Sequence, residues 1–257
     1  MAWQKTDGWY VISMRPQGGH AALRRAAARL GARTIALSPW RIRARDDAPT
    51  RQSLADALQA DRVLFTSPAA VDAAARLMPL RAHPDQAWLA VGSGTANALR
   101  RQGIDRVTFP SRMDSEGLLA LPMLQALHGT SLGFVTAPEG RNLLAPTLAA
   151  RGAHLLRAEV YERQDVPLPA RALDAVRHAS PACVLITSGG ALERVLAALP
   201  PDSREAFTTH VAVVASERLA EQARQAGFRR VVQAAGPRHA QMVNAAADAM
   251  RRRDPLA

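Results

Sequence analysis

The chain has 257 residues, of which 48% are hydrophobic and 21% charged, with a formal net charge of +11. That length suits one large or two modest domains, and no apolar run approaches the ~18–20 residues of a membrane span, which excludes a helical membrane protein. The positive charge is almost wholly arginine, Lys5 being the one lysine, and aromatic residues make up only 4%, so the stacking platforms of nucleic-acid binders are missing and no nucleic-acid partner is expected.

Cys183 is the single cysteine and cannot form an internal disulfide. Residues 1–8 lack the basic, apolar, small-residue order of a secretion signal, so the expected compartment is the cytoplasm.

Residues 10–14 read as a buried strand, 15–16 as its turn and 21–30 as an Ala/Arg-rich helix ended by Gly31. Residues 34–37 return as a strand, and 41–49, charged and poorly periodic, read as a connector. A short helix over 53–60 leads to a strand over 62–65, then Thr66 and Ser67, then a helix over 71–78. The strand 87–91 runs into Gly92, Ser93, Gly94 and Thr95, with a helix through Arg101 closed by Gly103; 106–110 is one more short strand. After the loop 111–114, a helix from Ser115 leads to a strand over 131–135. Residues 136–141 head a helix closed by Gly152, and 153–160 form a strand ending at Tyr161. The strand 182–186 ends on Thr187 and Ser188, 211–216 head a helix closed by Gly227, 231–232 form a last strand, and 250–257 read as a fraying tail.

One turn is written twice. Residues 64–71 end an apolar run on Thr66 and Ser67 and open a helix, and residues 185–192 do the same with Thr187 and Ser188. Each serine stands where an N-cap belongs, and Pro68 has the fixed φ and missing donor that suit a first helical position. The other N–H groups of such a first turn point outward with the positive end of the helix dipole, which suits a carboxylate or a phosphate. The sequence leaves open whether these hydroxyls only cap helices or also meet a ligand.

The duplication extends beyond that turn. Pro16 and Pro138 are 122 positions apart, Gly31 and Gly152 are 121, Thr66 and Thr187 are 121, and Gly103 and Gly227 are 124. A three-part unit is therefore repeated. Strands alternating with helices throughout predict an α/β fold of two similar domains, each with a parallel sheet flanked by helices and with ligands outside the carboxyl ends of the strands. Two such domains facing one another make an interdomain cleft.

Other classes fit less of the chain. A dinucleotide-binding enzyme would explain the strand–helix units, but Gly92 to Asn97 lacks the third glycine of the phosphate-binding fingerprint. A periplasmic-type binding module would explain two lobes, but the chain opens on no export signal. The seven histidines show no metal-ligand spacing, so no metal site is expected, and Cys183 lies within a strand as an inert core residue.

Several short motifs, in their order and spacing, resemble the uroporphyrinogen-III synthase family. They are Phe65-Thr66-Ser67-Pro68 and Ile186-Thr187-Ser188-Gly189, the run from Ala90 to Ala96, Arg151-Gly152-Ala153 ahead of Val160-Tyr161-Glu162-Arg163, and the run from Val214 to Ala220. The resemblance covers nearly the whole chain. It implies that the middle of the chain forms one domain, 41–162, while both ends join in the other, 1–40 with 163–257. It further implies a two-stranded hinge at the two crossings, 39–43 and 161–165, and an active site in the interdomain cleft.

The implied reaction is cyclisation of the acidic linear tetrapyrrole hydroxymethylbilane with inversion of its ring D and loss of water, by a monomer that needs no cofactor and makes at most transient contact with the preceding enzyme of its pathway. Tyr161 matches the family's tyrosine and is the expected catalytic residue, a proton donor to the departing hydroxyl; the alternative is a tyrosine that caps the linker. Thr66, Ser67, Thr187 and Ser188 match substrate-binding positions. Ser93, Gly94 and Thr95 form a third anion-binding helix start, and Ser216 marks the equivalent point of the other domain. There, Glu217 and Arg218 replace the hydroxyl residues often found in the family, and Glu217 reads as a capping residue turned away from substrate. Arg15 and Arg141 follow turns at strand ends and are expected to pair with propionates, surface exposure being the alternative.

Overall fold

Period-two alternation within short apolar runs becomes, in the computed structural model, two five-stranded parallel sheets. The structure describes residues 8–112, 115–138 and 143–252. The chain divides into two compact units, Met1–Arg41 with Asp165–Ala257 (unit 1) and Ile42–Gln164 (unit 2).

In unit 1 the strands are β1 (Trp9–Ser13), β2 (Ala32–Ala36), β10 (Ala182–Ile186), β11 (Val211–Val214) and β12 (Val231–Gln233), in the spatial order β12-β11-β10-β1-β2. In unit 2 they are β4 (Arg62–Phe65), β5 (Ala87–Ala90), β6 (Val107–Thr108), β7 (Ser131–Thr136) and β8 (His154–Glu159), in the order β6-β5-β4-β7-β8. The sequence offsets carry β1 onto β7, β2 onto β8, β10 onto β4, β11 onto β5 and β12 onto β6, so both sheets have one spatial plan although the chain enters each at a different strand. The direction of strand succession reverses between β1 and β10 and between β4 and β7. In open parallel sheets such a reversal leaves a crevice at the carboxyl ends, because the flanking connections depart to opposite faces.

Each sheet is covered on both faces. In unit 1, Ile12, Val184 and Val214 face one apolar layer while Val11, Cys183 and Val213 face the other. Unit 2 divides Val63, Phe65 and Trp88 from Leu64, Leu89 and Phe134 in the same way. Full burial of such a side chain is worth about 1.5–3 kcal/mol, and a one-residue slip would exchange the layers, so the register is firmly set. Phe65 and Trp88 stack with ring centroids 5.6 Å apart. Cys183 is fully buried, as expected of a core residue. Gly31 and Gly152, one of the repeated pairs, hold φ of 72° and 91°, left-handed values that favour glycine just past a helix end.

Three readings of the sequence are corrected. The connector over 41–49 is strand β3 (Trp40–Ala44) followed by the start of helix α2 (Ala48–Leu58). Trp40 packs in the unit 1 core and Ile42 and Ala44 against that of unit 2, a period-two pattern that the intervening arginines disguise. Asp47 caps α2 by accepting from Thr50 N–H at 2.8 Å, so that helix starts five residues earlier than its apolar periodicity suggests. Helices α7 (Ala170–His178), α9 (Pro201–Thr209) and α11 (His239–Arg251) carry no sequence reading, the first two because prolines at their starts look like loop, the third because Arg238 is an unusual N-cap. Residues 250–251 of the expected tail belong to α11, and 253–257 lie outside the described residues. The chain passes between the units within β3 and β9 (Tyr161–Asp165), which pair as a two-stranded sheet.

Candidate functional site

In unit 2 the carboxyl end of β4 delivers Thr66 and Ser67 to the crevice position. Ser67 is extended, with φ −163° and ψ 158°, and its Oγ accepts from Ala70 N–H at 3.1 Å, capping helix α3 (Pro68–Leu77). The same oxygen lies 3.0 Å from the Tyr161 hydroxyl. Thr66 donates its N–H to the Val135 carbonyl at 3.1 Å, and its hydroxyl donates to Thr136 Oγ1 at 3.0 Å, so that its oxygen is held by the neighbouring strand end and does not cap the helix. Tyr161 is 4% exposed; its ring belongs to the unit 2 core and its hydroxyl is the part tied to the site.

Helix α4 (Ser93–Arg101) begins on Gly92 with no side-chain cap, so backbone N–H groups alone make up its start. Gly94 is exposed, and a Cβ there would meet only Pro68 Cγ at 3.8 Å, which puts the α4 start beside the α3 start. Thr95 is buried and turned into the fold. Unit 2 thus brings Thr66, Ser67, Ser93, Gly94 and Tyr161 to one end of its sheet and adds Thr136, which the sequence reading missed.

In unit 1, Thr187 and Ser188 are exposed past β10, and Ser188 Oγ caps helix α8 (Gly189–Ala198) by accepting from Ala191 N–H at 3.4 Å. Ser216 stands at the N-cap of helix α10 (Glu217–Gln225) without a side-chain capping bond. Glu217 neither caps nor faces a strand end: it is exposed and receives a hydrogen bond from Arg224 at 3.2 Å, one side of its helix down. Arg15 follows β1, is half-buried, and its guanidinium has no hydrogen-bond or ion-pair partner among the described residues; burial lowers its pKa. Arg141 lies outside the described residues.

A buried histidine, unread in the sequence, organises this end of unit 1. His20 precedes helix α1 (Ala21–Ala28), with Nδ1 2.9 Å from Ser13 Oγ and Nε2 2.8 Å from Ser38 Oγ. Ser38 donates to the Arg15 carbonyl, so its oxygen accepts from His20 Nε2–H, and the Ser13 hydroxyl in turn donates to Nδ1. The chain of bonds selects one neutral tautomer. Desolvation lowers the His20 pKa, and the charges of Arg24 and Arg15 lower it further. No local signal marks it: Ser13 closes β1, Ser38 lies two residues past β2, and the packing of those strands brings both to His20.

Among the described residues no group of three His, Cys, Asp or Glu could hold a metal ion, and no helix is long and apolar enough to cross a membrane.

The chain has counterparts among known proteins. A family model described as uroporphyrinogen-III synthase HemD matches residues 21–244. Over 145 residues the chain is 34% identical to the uroporphyrinogen-III synthase of Escherichia coli (strain K12), and over 149 residues 34% identical to that of Salmonella typhimurium. Each match takes in 55% of this chain and 58% of the relative, so the chain spans less than two thirds of the length of either. A mutant uroporphyrinogen III synthase from the extremely thermophilic bacterium Thermus thermophilus has the same fold with a TM-score of 0.64 at 19% identity, over 95% of this chain and 100% of that one. The uroporphyrinogen-III synthetase of Helicobacter pylori 26695 gives 0.60 at 16% identity, over 94% and 99%. At those identities the likeness is one of fold; the sequence match along most of the chain goes further, and by it the chain belongs to the uroporphyrinogen-III synthase family.

Proposed function

We propose that the protein is a cytoplasmic uroporphyrinogen-III synthase that converts hydroxymethylbilane to the type III macrocycle with ring D inverted. The observation that carries this reading, in a chain of this family, is the Ser67–Tyr161 hydrogen bond at the start of α3, beside the Thr66–Thr136 pair. The hydroxyl of the ring A hydroxymethyl group leaves as water once its oxygen is protonated, and the retained methylene carbon becomes part of an azafulvene cation. Ring D then attacks through its substituted carbon, the spiro intermediate fragments and recloses, and a proton is lost from the ring carbon. The pyrrole nitrogens supply the electron push, so the protein's task is to supply one proton and to favour the inverted closure by positioning.

Tyr161 and Ser67 act together in that proton transfer. Ser67 Oγ already accepts from Ala70 N–H, next to the positive end of α3, which polarises the hydroxyl pair as an acid. The pyrrole push already favours ionisation, so the phenol assists the departure without being indispensable. Within unit 2 the backbone donors at the starts of α3 and α4 suit substrate carboxylates, and within unit 1 so do those at the start of α8, Thr187, Ser188 and the Arg15 guanidinium, which has no partner among the described residues. A charged group left half-buried without a partner is costly, and an anionic ligand removes that cost.

The test is direct. Protein dialysed against a chelator is incubated with freshly made hydroxymethylbilane and the isomers of the product are separated. Type III product is expected; type I alone, as forms without an enzyme, overturns the proposal.

A further inference from the structure

At the carboxyl ends of β1 and β10, where the strand succession of unit 1 reverses, lies a cavity of about 30 Å³. Arg15, Thr187 and His239 line it together with the apolar Leu23, Leu185 and Met242, and no aspartate or glutamate among the described residues lines it. Two of its polar groups lack partners. The Arg15 guanidinium has none among the described residues, and His239 Nε2 is buried with no hydrogen-bond partner. A buried Nε2 with no partner is costly, and with the ring proton on Nε2 a single anion supplies acceptors for it and for the half-buried Arg15 guanidinium.

The lining of the space narrows the anion. The apolar side chains on the remaining wall suit methylene groups. We infer that this cavity takes the carboxylate end of one short alkanoate arm, with the Arg15 guanidinium and His239 Nε2–H as paired donors and Leu185 and Met242 against the methylenes. His239 is then a specificity-determining residue that no motif in the sequence marks. The identity of the arm as an acetate or propionate of a tetrapyrrole rests on the proposed function; the carboxylate chemistry of the cavity does not.

Burial and the charge of Arg15 lower the His239 pKa, in keeping with a neutral ring.

The experiment follows the His239 ring by NMR in the full chain labelled with 15N-histidine, its signals identified by their loss in His239→Gln. Sodium propionate is titrated in, with 1-propanol and sodium chloride as controls. A saturable shift is expected with propionate alone, and it should vanish in Arg15→Gln. In turnover of hydroxymethylbilane, His239→Gln and His239→Asn should each raise KM about ten-fold, the loss of one charge-assisted hydrogen bond, with kcat within about two-fold. A His239 signal that propionate leaves where chloride leaves it, in folded protein, overturns the site, as does an unchanged KM in both variants. A propionate-specific shift in a protein that makes no type III product sinks the proposed activity and leaves the site standing; normal activity beside an unmoved His239 sinks the site alone.

Discussion

The Tyr161 hydroxyl lies 3.0 Å from Ser67 Oγ, across 94 positions of sequence, and so ties the first residue of β9 to the N-cap of α3. If the two hydroxyls act as one acid, their removal is not additive. Tyr161→Phe is expected to lower kcat by no more than about 10²-fold, the lower end of general acid help. Ser67→Ala should cost a similar factor, and the double variant little more than either alone. Turnover and isomer ratio for the three variants, with circular dichroism to confirm folding, decide it; complete inactivity of folded Tyr161→Phe would show that the phenol alone carries the chemistry.

Thr66 and Ser188 stand at different positions of the repeated turn and do different work. Thr66 bonds the neighbouring strand end, so Thr66→Val, which keeps the shape, should lose about 0.5–1.5 kcal/mol of stability and little activity. Ser188 is an exposed cap, so Ser188→Ala should cost roughly 0.5–2 kcal/mol of stability. In both, the backbone donors at the helix start remain and kcat should stay within about three-fold of wild type, as expected for a uniform binding contribution. A loss of type III product from either variant would argue that a hydroxyl, and not the backbone, holds the reacting end.

His20 links stability to pH. Its folded pKa is depressed by desolvation and by Arg24 and Arg15, so in the window between that value and the ordinary ~6.5 the unfolded chain binds more protons than the folded one. Stability therefore rises with pH through that window and is lost as pH falls below about 6.5. His239 shifts in the same direction and contributes with the same sign. His20→Gln should be less stable at pH 7 by about 1–3 kcal/mol, the cost of disturbing a buried hydrogen-bonded group, yet decline less steeply toward pH 5. Urea unfolding at both pH values measures this, and equal slopes for variant and wild type would refute the role given to His20.

Gly133 in β7 has no room for a side chain: a Cβ there would come within 1.9 Å of the Ala57 carbonyl oxygen in α2. Backbone on both sides must then move, so Gly133→Ala should lose at least about 1–3 kcal/mol, the range of an overpacked core. Gly190, with nothing within 4 Å of its added Cβ, is the control; Gly190→Ala in the first turn of α8 should leave stability level or raise it by about 0.4–1 kcal/mol. Thermal melts of the two variants test the contrast.

Local chemistry was enough to write much of this protein from its sequence. Apolar runs of four to six residues ending on hydroxyls, a proline after Ser67 and the glycines that follow α1, α4 (Ser93–Arg101), α6 (Leu144–Ala150) and α10 are short-range signals, and the strands β4, β5 and β10 and the caps of α3 and α8 stand where those signals put them. The repeat at offsets near 122 likewise foretold two sheets of one kind, because a duplicated pattern of burial has to be buried twice in the same way. What lay beyond short range was decided by tertiary structure. Thr66 bonds Thr136, Ser67 bonds Tyr161, and His20 joins Ser13 to Ser38, pairs that only the packing of distant strand ends brings together. Arg15 reads from the sequence as one arginine among many; that its guanidinium is half-buried, without a partner among the described residues, and lines the same cavity as His239 follows from where β1 and α11 come to lie, since desolvation and partner count are properties of the fold.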